Sequence, residues 1–286
     1  MTYVIHGATG AQGGPLLARL LRAGHRAVAA TRRPSAAAGM PTVTADHDSL
    51  ESLVAAYRDA QGVFLHLPVV AEADRLRQAQ HMARAIAIAR PQRVVISTSG
   101  WVVDDPHSPV HNPPESAIAT LIRETEASGV STAVVAPRLF FENLLNPLVL
   151  EPTRADGVLR YPLRADYAVS WSSHLDVAEV AERLLLDTSI TGLVGVGQSP
   201  GVGGQQLAAG FSSYFQRAVV YESLTPEAFG AMIAPLLGEG PAAGVVAGYQ
   251  GHALAVSNTI DPNTSAQVRL GIAPRTVEQW LAEMFK

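Results

Sequence analysis

Three glycines, Gly7, Gly10 and Gly13, separate an apolar run from a helical pattern near the start of the sequence. Tyr3-Val4-Ile5-His6 reads as a buried strand. Pro15-Leu16-Leu17-Ala18-Arg19-Leu20-Leu21 repeats apolar residues at helical spacing. Strand, tight turn and helix in this order restrict the chain to an α/β arrangement. Gly7 allows the turn, Gly10 lets a ligand approach the backbone, and Gly13 lets the helix pack on the strand. The unpaired N–H groups at the helix N-terminus then suit an anion such as a dinucleotide pyrophosphate.

The second strand, Ala27-Val28-Ala29-Ala30-Thr31, runs into Arg32-Arg33-Pro34. In a dinucleotide fold this strand end meets the adenosine ribose. A carboxylate there suits the 2′-hydroxyl of NAD, and arginine suits the 2′-phosphate of NADP. Arg32 and Arg33 without a carboxylate therefore point to NADP(H). Strands follow at 41–45, 62–68, 93–101 and 130–136, with helices at 50–57, 72–89 and 115–128. This alternation predicts a doubly wound, Rossmann-type parallel sheet. His66 alternates with apolar neighbours and reads as a packed core residue. The loop 102–114 holds His107, His111 and four prolines, which oppose a regular helix.

Beyond 144 the pattern weakens. Residues 151–170 read as loops with short strands, and helices are expected at 175–186, 205–215, 226–237 and 277–284. Strands are expected at 192–197 and 218–222. The expected division is a dinucleotide-binding domain over 1–145 and a small α+β substrate subdomain over 146–286. One strand near 190–197 returns to the main sheet.

Composition removes several function classes. A net charge of −4 and a pI of about 6.1 give no footprint for nucleic acid. The absence of cysteine excludes disulfides, thiol catalysis and thiolate metal ligation. The nine histidines show no metal-binding spacing on a helix, so no metal is expected. No leader pattern or long apolar run is evident, so a cytoplasmic protein without a membrane span is expected.

Gly7-Ala8-Thr9-Gly10-Ala11-Gln12-Gly13 resembles the nucleotide motif of the atypical short-chain dehydrogenase/reductases, and the chain resembles their NmrA-like group. Thr31-Arg32-Arg33-Pro34, Asp46-His47-Asp48-Ser49-Leu50 and Ser128-Gly129-Val130 leading to Pro137 carry the likeness further. Phe141-Glu142-Asn143, Asp176-Val177-Ala178 and the tail Leu270-Gly271-Ile272-Ala273-Pro274-Arg275-Thr276 extend it over nearly the whole chain. The resemblance implies NADP(H) bound by a Rossmann domain, a small C-terminal domain, and a cleft between them. It implies that Gly7, Thr9, Gly10, Ala11, Gln12 and Gly13 hold the pyrophosphate, and Arg32 with Arg33 the 2′-phosphate. Leu67 and Pro68 would border the adenosine; Thr98, Ser99 and Pro137 would lie near the nicotinamide.

The departures matter as much. The positions of the Tyr-x-x-x-Lys pair of short-chain reductases fall on Pro114 and Ile118, and Lys286 is the one lysine of the chain. The tyrosine–lysine mechanism is therefore excluded at this location. Hydride transfer to a quinone or other conjugated acceptor needs orientation more than a protein acid. His111 is the first candidate acid and Ser99 a candidate to orient a carbonyl. Trp101, Phe140 and Phe141 are candidate pocket residues. The expected protein is an NADPH-dependent reductase of a quinone, enone or other conjugated carbonyl, with a small aromatic or conjugated substrate, working as a monomer or homodimer. The alternatives are a non-catalytic NADP(H)-sensing regulator, or a cyclase or isomerase on the same scaffold.

Overall fold

The structure, a computed structural model, describes residues 2–33 and 39–286, so Pro34 of the arginine motif lies outside the described residues. The chain forms two compact units. The first runs through Asp104 and takes in Asn112–Pro137 and His174–Gly195. Its elements are β1 (Thr2–His6), α1 (Gly13–Arg22), β2 (Ala27–Thr31), β3 (Thr42–Thr44), α2 (Leu50–Tyr57) and β4 (Ala60–Leu65). They continue with α3 (Glu72–Ala89), β5 (Val94–Ser97), α4 (Ala117–Ala127) and β6 (Thr132–Pro137). Further along the chain come α5 (Pro147–Asp156), β7 (Val158–Tyr161), α6 (His174–Leu186) and β8 (Gly192–Val196), of which α6 and nearly all of β8 belong to this unit.

The sheet order is β3-β2-β1-β4-β5-β6-β8, and the pairings from β3 to β6 are parallel. This is the Rossmann arrangement of the expected fold, with its switch point between β1 and β4. The strands are continuous apolar runs because helices cover the sheet. Val63, Leu65, Val94 and Ile96 are fully buried, as are Leu53, Met82, Ile86 and Leu121 from the helices. Ser49 caps α2 by accepting from the Ser52 N–H, and Ser116 caps α4 by accepting from Ala119. Buried Arg93 clamps the end of α6: its guanidinium donates to the Leu184 carbonyl at 2.8 Å, to the Ile190 carbonyl and to Ser131 Oγ.

The second unit comprises Asp105–His111, Arg138–Ser173 and Val196–Lys286. It holds α5 and β7, then α7 (Gly204–Phe215), β9 (Val220–Ser223), α8 (Pro226–Leu237), α9 (Glu239–Leu254), α10 (Ala266–Leu270) and α11 (Val277–Met284). β7 and β9 form a separate parallel pair. The core is aromatic: Phe141 lies between Trp171, centroids 5.8 Å apart, and Trp280, 5.2 Å.

Three helices, α5, α9 and the short α10, differ from the sequence expectation. α5 occupies a stretch expected as loop. Asn146 caps it through the Leu148 N–H, Pro147 opens it, and Gly157 ends it in the left-handed region at φ 72°. Burial of Val149, Leu150 and Thr153 holds the turn through Pro152. α9 carries Gly240, Gly244, Gly248 and Gly251, which obscure a helical pattern. Among the described residues no helix is long and apolar enough to cross a membrane, and no group of three or more His, Asp or Glu side chains is arranged to hold a metal.

Candidate functional site

The carboxyl end of β1 turns at Gly7, which has φ 61°, and the Gly10 N–H closes the turn onto the Gly7 carbonyl at 2.8 Å. A Cβ on Gly13 would stand 2.4 Å from the His6 carbonyl oxygen, so glycine is what lets α1 meet β1 there. Thr9, Gly10 and Ala11 form the exposed tip, and the N–H groups of Thr9, Ala11 and Gln12 have no hydrogen-bond partner among the described residues. α1 has no side-chain cap and no acidic residue in its first turn. Its N-terminus keeps its positive end and open N–H groups for an anion.

Gln12 adds a feature not visible in the motif. Its side chain is buried and faces β5: Ser97 Oγ donates to its Oε1 at 2.7 Å, and its Nε2 donates to Ser99 Oγ at 3.0 Å. Ser99 sits in the left-handed region at φ 54°, its N–H donating to Ser97 Oγ. Gln12 thus ties the glycine turn to the exit of β5 and offers a ligand its backbone, not its amide. Thr98 is fully buried with an unpartnered hydroxyl among the described residues, and Pro137 is the buried last residue of β6. Leu67 is nearly buried, whereas Pro68 is half-buried.

A histidine cluster, missed in the sequence, backs this turn. His6 Nδ1 lies 2.9 Å from His47 Nε2, and the Tyr57 hydroxyl lies 2.9 Å from His6 Nε2. A consistent direction runs from Tyr57 O–H to His6 Nε2 and from His6 Nδ1–H to His47 Nε2. His66 stands over the glycine turn, where a Cβ on Gly7 would lie 1.9 Å from its Nε2. Burial first, then the neighbouring His47 and His66, holds His6 well below the usual histidine range. Burial also lowers His47 to about 4, with His66 and Arg32 adding to the shift. Arg32 and Arg33 are exposed at the end of β2 and form no ion pair among the described residues.

The remaining candidates are dispersed. Trp101, in the first unit, is 39% exposed and has the Arg75 guanidinium 4.4 Å over its ring. Half-buried Phe140 precedes the short helical turn Phe141–Leu145. Phe141 has no exposed surface; packing against two tryptophans makes it a core residue, which corrects its reading as a pocket residue. His111 belongs to the second unit, and its Nδ1 is buried without a partner among the described residues.

The second unit contains a cavity of about 590 Å³ lined by residues of the Phe141–Leu145 turn, β7, α8 and α9. Tyr161 from β7 and Tyr249 from α9 share a hydrogen bond between their hydroxyls on its wall. Phe229 lies 5.6 Å from the Tyr161 ring and 5.7 Å from that of Tyr249, edge-on to the latter. His252 also lines it, with Nδ1 3.1 Å from the Tyr167 hydroxyl, and burial lowers its pKa to about 4. Val245, Gly248, Tyr249 and His252 recur at helical spacing, a signal that the glycines of α9 hide.

The family's sequence model, described as NmrA-like, matches residues 1–281. The chain belongs to the NmrA-like family. Triphenylmethane reductase of Citrobacter sp. is similar in structure at 15% identity, covering 98% of each chain with a TM-score of 0.81. An NADPH-dependent quinone oxidoreductase of Escherichia coli, in complex with NADPH, covers 100% of each chain at 19% identity with a TM-score of 0.73. A nucleoside-diphosphate-sugar epimerase of Staphylococcus aureus covers 98% of this chain and 99% of its own at 17% identity, TM-score 0.79. These likenesses share the fold. No protein with a curated description matches the chain. Ile118, at the lysine position of related reductases, is 2% exposed in the apolar core of the first unit, so this NmrA-like chain has no acid–base chemistry at that point.

Proposed function

We propose that this chain is an NADPH-dependent reductase of quinones, enones or related conjugated carbonyl compounds. One observation carries the reading: an uncapped, glycine-cradled helix N-terminus together with two exposed arginines at the end of β2 that form no ion pair among the described residues. These residues fit a phosphorylated dinucleotide. The backbone of Gly7, Thr9, Gly10, Ala11, Gln12 and Gly13 would hold the pyrophosphate, and Arg32 with Arg33 the 2′-phosphate. Leu67 and Pro68 would border the adenosine, with Thr98, Ser99 and Pro137 on the nicotinamide side. The bound nicotinamide supplies a hydride.

The chain's own part is placement. Gln12 fixes the turn against Ser97 and Ser99, and Ser99 Oγ is the group we assign to a substrate carbonyl on that side. His111 is the candidate proton source. The Escherichia coli and Citrobacter relatives, described as quinone and triphenylmethane reductases, support a conjugated substrate. The buried Ile118 favours a second reading, an NADP(H) sensor without turnover. Steady-state oxidation of NADPH with 1,4-naphthoquinone separates them. Catalytic NADPH loss with hydroquinone formation is the expected result. Tight NADPH binding with no oxidation of it by a panel of quinones and enones would overturn the reductase reading in favour of the sensor.

A further inference from the structure

We infer that Tyr249 donates a hydrogen bond to a carbonyl oxygen of an aromatic ligand held in the second unit's cavity. The inference rests on the reductase reading for the choice of a carbonyl compound; the site itself stands on the second unit alone.

Two phenols that share one hydrogen bond use one of their two O–H groups, and the other is left to donate. Tyr161 is 1% exposed and its hydroxyl faces Tyr249, whereas Tyr249 is half-buried and has no other hydrogen-bond partner among the described residues. That makes Tyr161 the donor within the pair and leaves the Tyr249 proton for an acceptor in the cavity. Burial pushes Tyr249 up to about 12 and holds Tyr161 well above the usual phenol range, so both phenols stay protonated near neutral pH.

The walls define the rest of the ligand. The rings of Tyr161, Phe229 and Tyr249 meet at 5.5–5.7 Å and steep angles, presenting aromatic edges and faces to a flat guest. Leu139, Ile233 and Val245 complete an apolar lining. Glu142 is its one carboxylate, and no arginine or lysine of the described residues lines it. His252, lowered to about 4, carries no charge at neutral pH. A carboxylate or phosphate ligand would meet no cation here, so the occupant is not an anion. A volume of about 590 Å³ admits a bicyclic or tricyclic ring system.

The test compares 1,4-naphthoquinone with naphthalene, which has the same ring shape and no carbonyl, binding to the full chain without cofactor. The chain has no cysteine, so the quinone meets no thiol. In Tyr249→Phe, naphthoquinone affinity should fall about fivefold or more, the worth of one neutral hydrogen bond, while naphthalene affinity stays within about twofold. Tyr161→Phe, which leaves the Tyr249 O–H in place, should lose less. Unchanged quinone affinity in Tyr249→Phe, or an equal loss for both ligands, would overturn the inference. If the variants do not fold, the carbonyl stretch of bound quinone in the unaltered protein decides: a shift to lower frequency than in an apolar solvent supports the hydrogen bond, and no shift overturns it. Since NADPH binding is measured separately, failure of the cofactor reading and failure of this inference give different results.

Discussion

At Gly13 the backbone leaves no room for a methyl group. A Cβ would stand 2.4 Å from the His6 carbonyl oxygen and 2.5 Å from that of Gly7, both rigid backbone atoms. Gly13→Ala should therefore cost about 1–3 kcal/mol in urea unfolding, as other overpacked sites do; a loss below about 0.5 kcal/mol would contradict the close contact. If Arg32 holds the 2′-phosphate, it does so by charge. Arg32→Glu should weaken NADPH binding at least about tenfold, the scale of a charge-assisted hydrogen bond, and leave NADH binding far less affected. The histidines give a pH signature. His47 and His252 are each lowered to about 4 in the folded chain, and His6 is also held low. An unfolded histidine titrates near 6.5. Between about 6.5 and about 4 the unfolded chain binds protons that the folded chain does not, so stability falls as pH falls through that window and is flat with respect to these groups above it. Thermal unfolding followed from pH 7 to 4.5 should show this decline, and His252→Asn should make it shallower. An equally steep decline in that variant would contradict the assignment of His252.

The elements that carry strong local signals were legible. The strand, glycine turn and helix at the start, the 72–89 helix and the closing helix all follow from apolar spacing and breakers. Of the helices that were missed, α5 and α9 contain proline or glycine at positions where local propensity opposes a helix, and tertiary packing overrides it. The same blind spot hid part of the cavity, because Tyr249 and His252 ride on α9. The glycine turn and the arginines of the candidate site could be read directly, since their role is local. Gln12 could not be read fully, because its amide is engaged by Ser97 and Ser99, more than eighty residues away in sequence. α9 also makes a prediction. A Cβ on Gly244 meets nothing within 4 Å, so Gly244→Ala should raise stability by about 0.5–1 kcal/mol, read as a higher thermal midpoint. A lower midpoint would mean that the glycine serves a purpose other than filling space.

Across the whole molecule the two units divide the chemistry. The first has a Rossmann sheet whose strand ends gather glycines, arginines and a hydrogen-bonded histidine pair. The second has an aromatic core and an apolar cavity with one phenol pair. We place the dinucleotide in the first unit and an aromatic carbonyl ligand in the cavity of the second, and the proposed function depends on selective binding of the 2′-phosphorylated cofactor. Calorimetric titration of the purified chain with NADPH and with NADH tests that claim most directly. Saturable NADPH binding at least about tenfold tighter than NADH is expected, from charge-assisted contacts of Arg32 with the 2′-phosphate. Equal affinity for the two would contradict the role of Arg32, and binding of neither would contradict the assignment of the glycine turn.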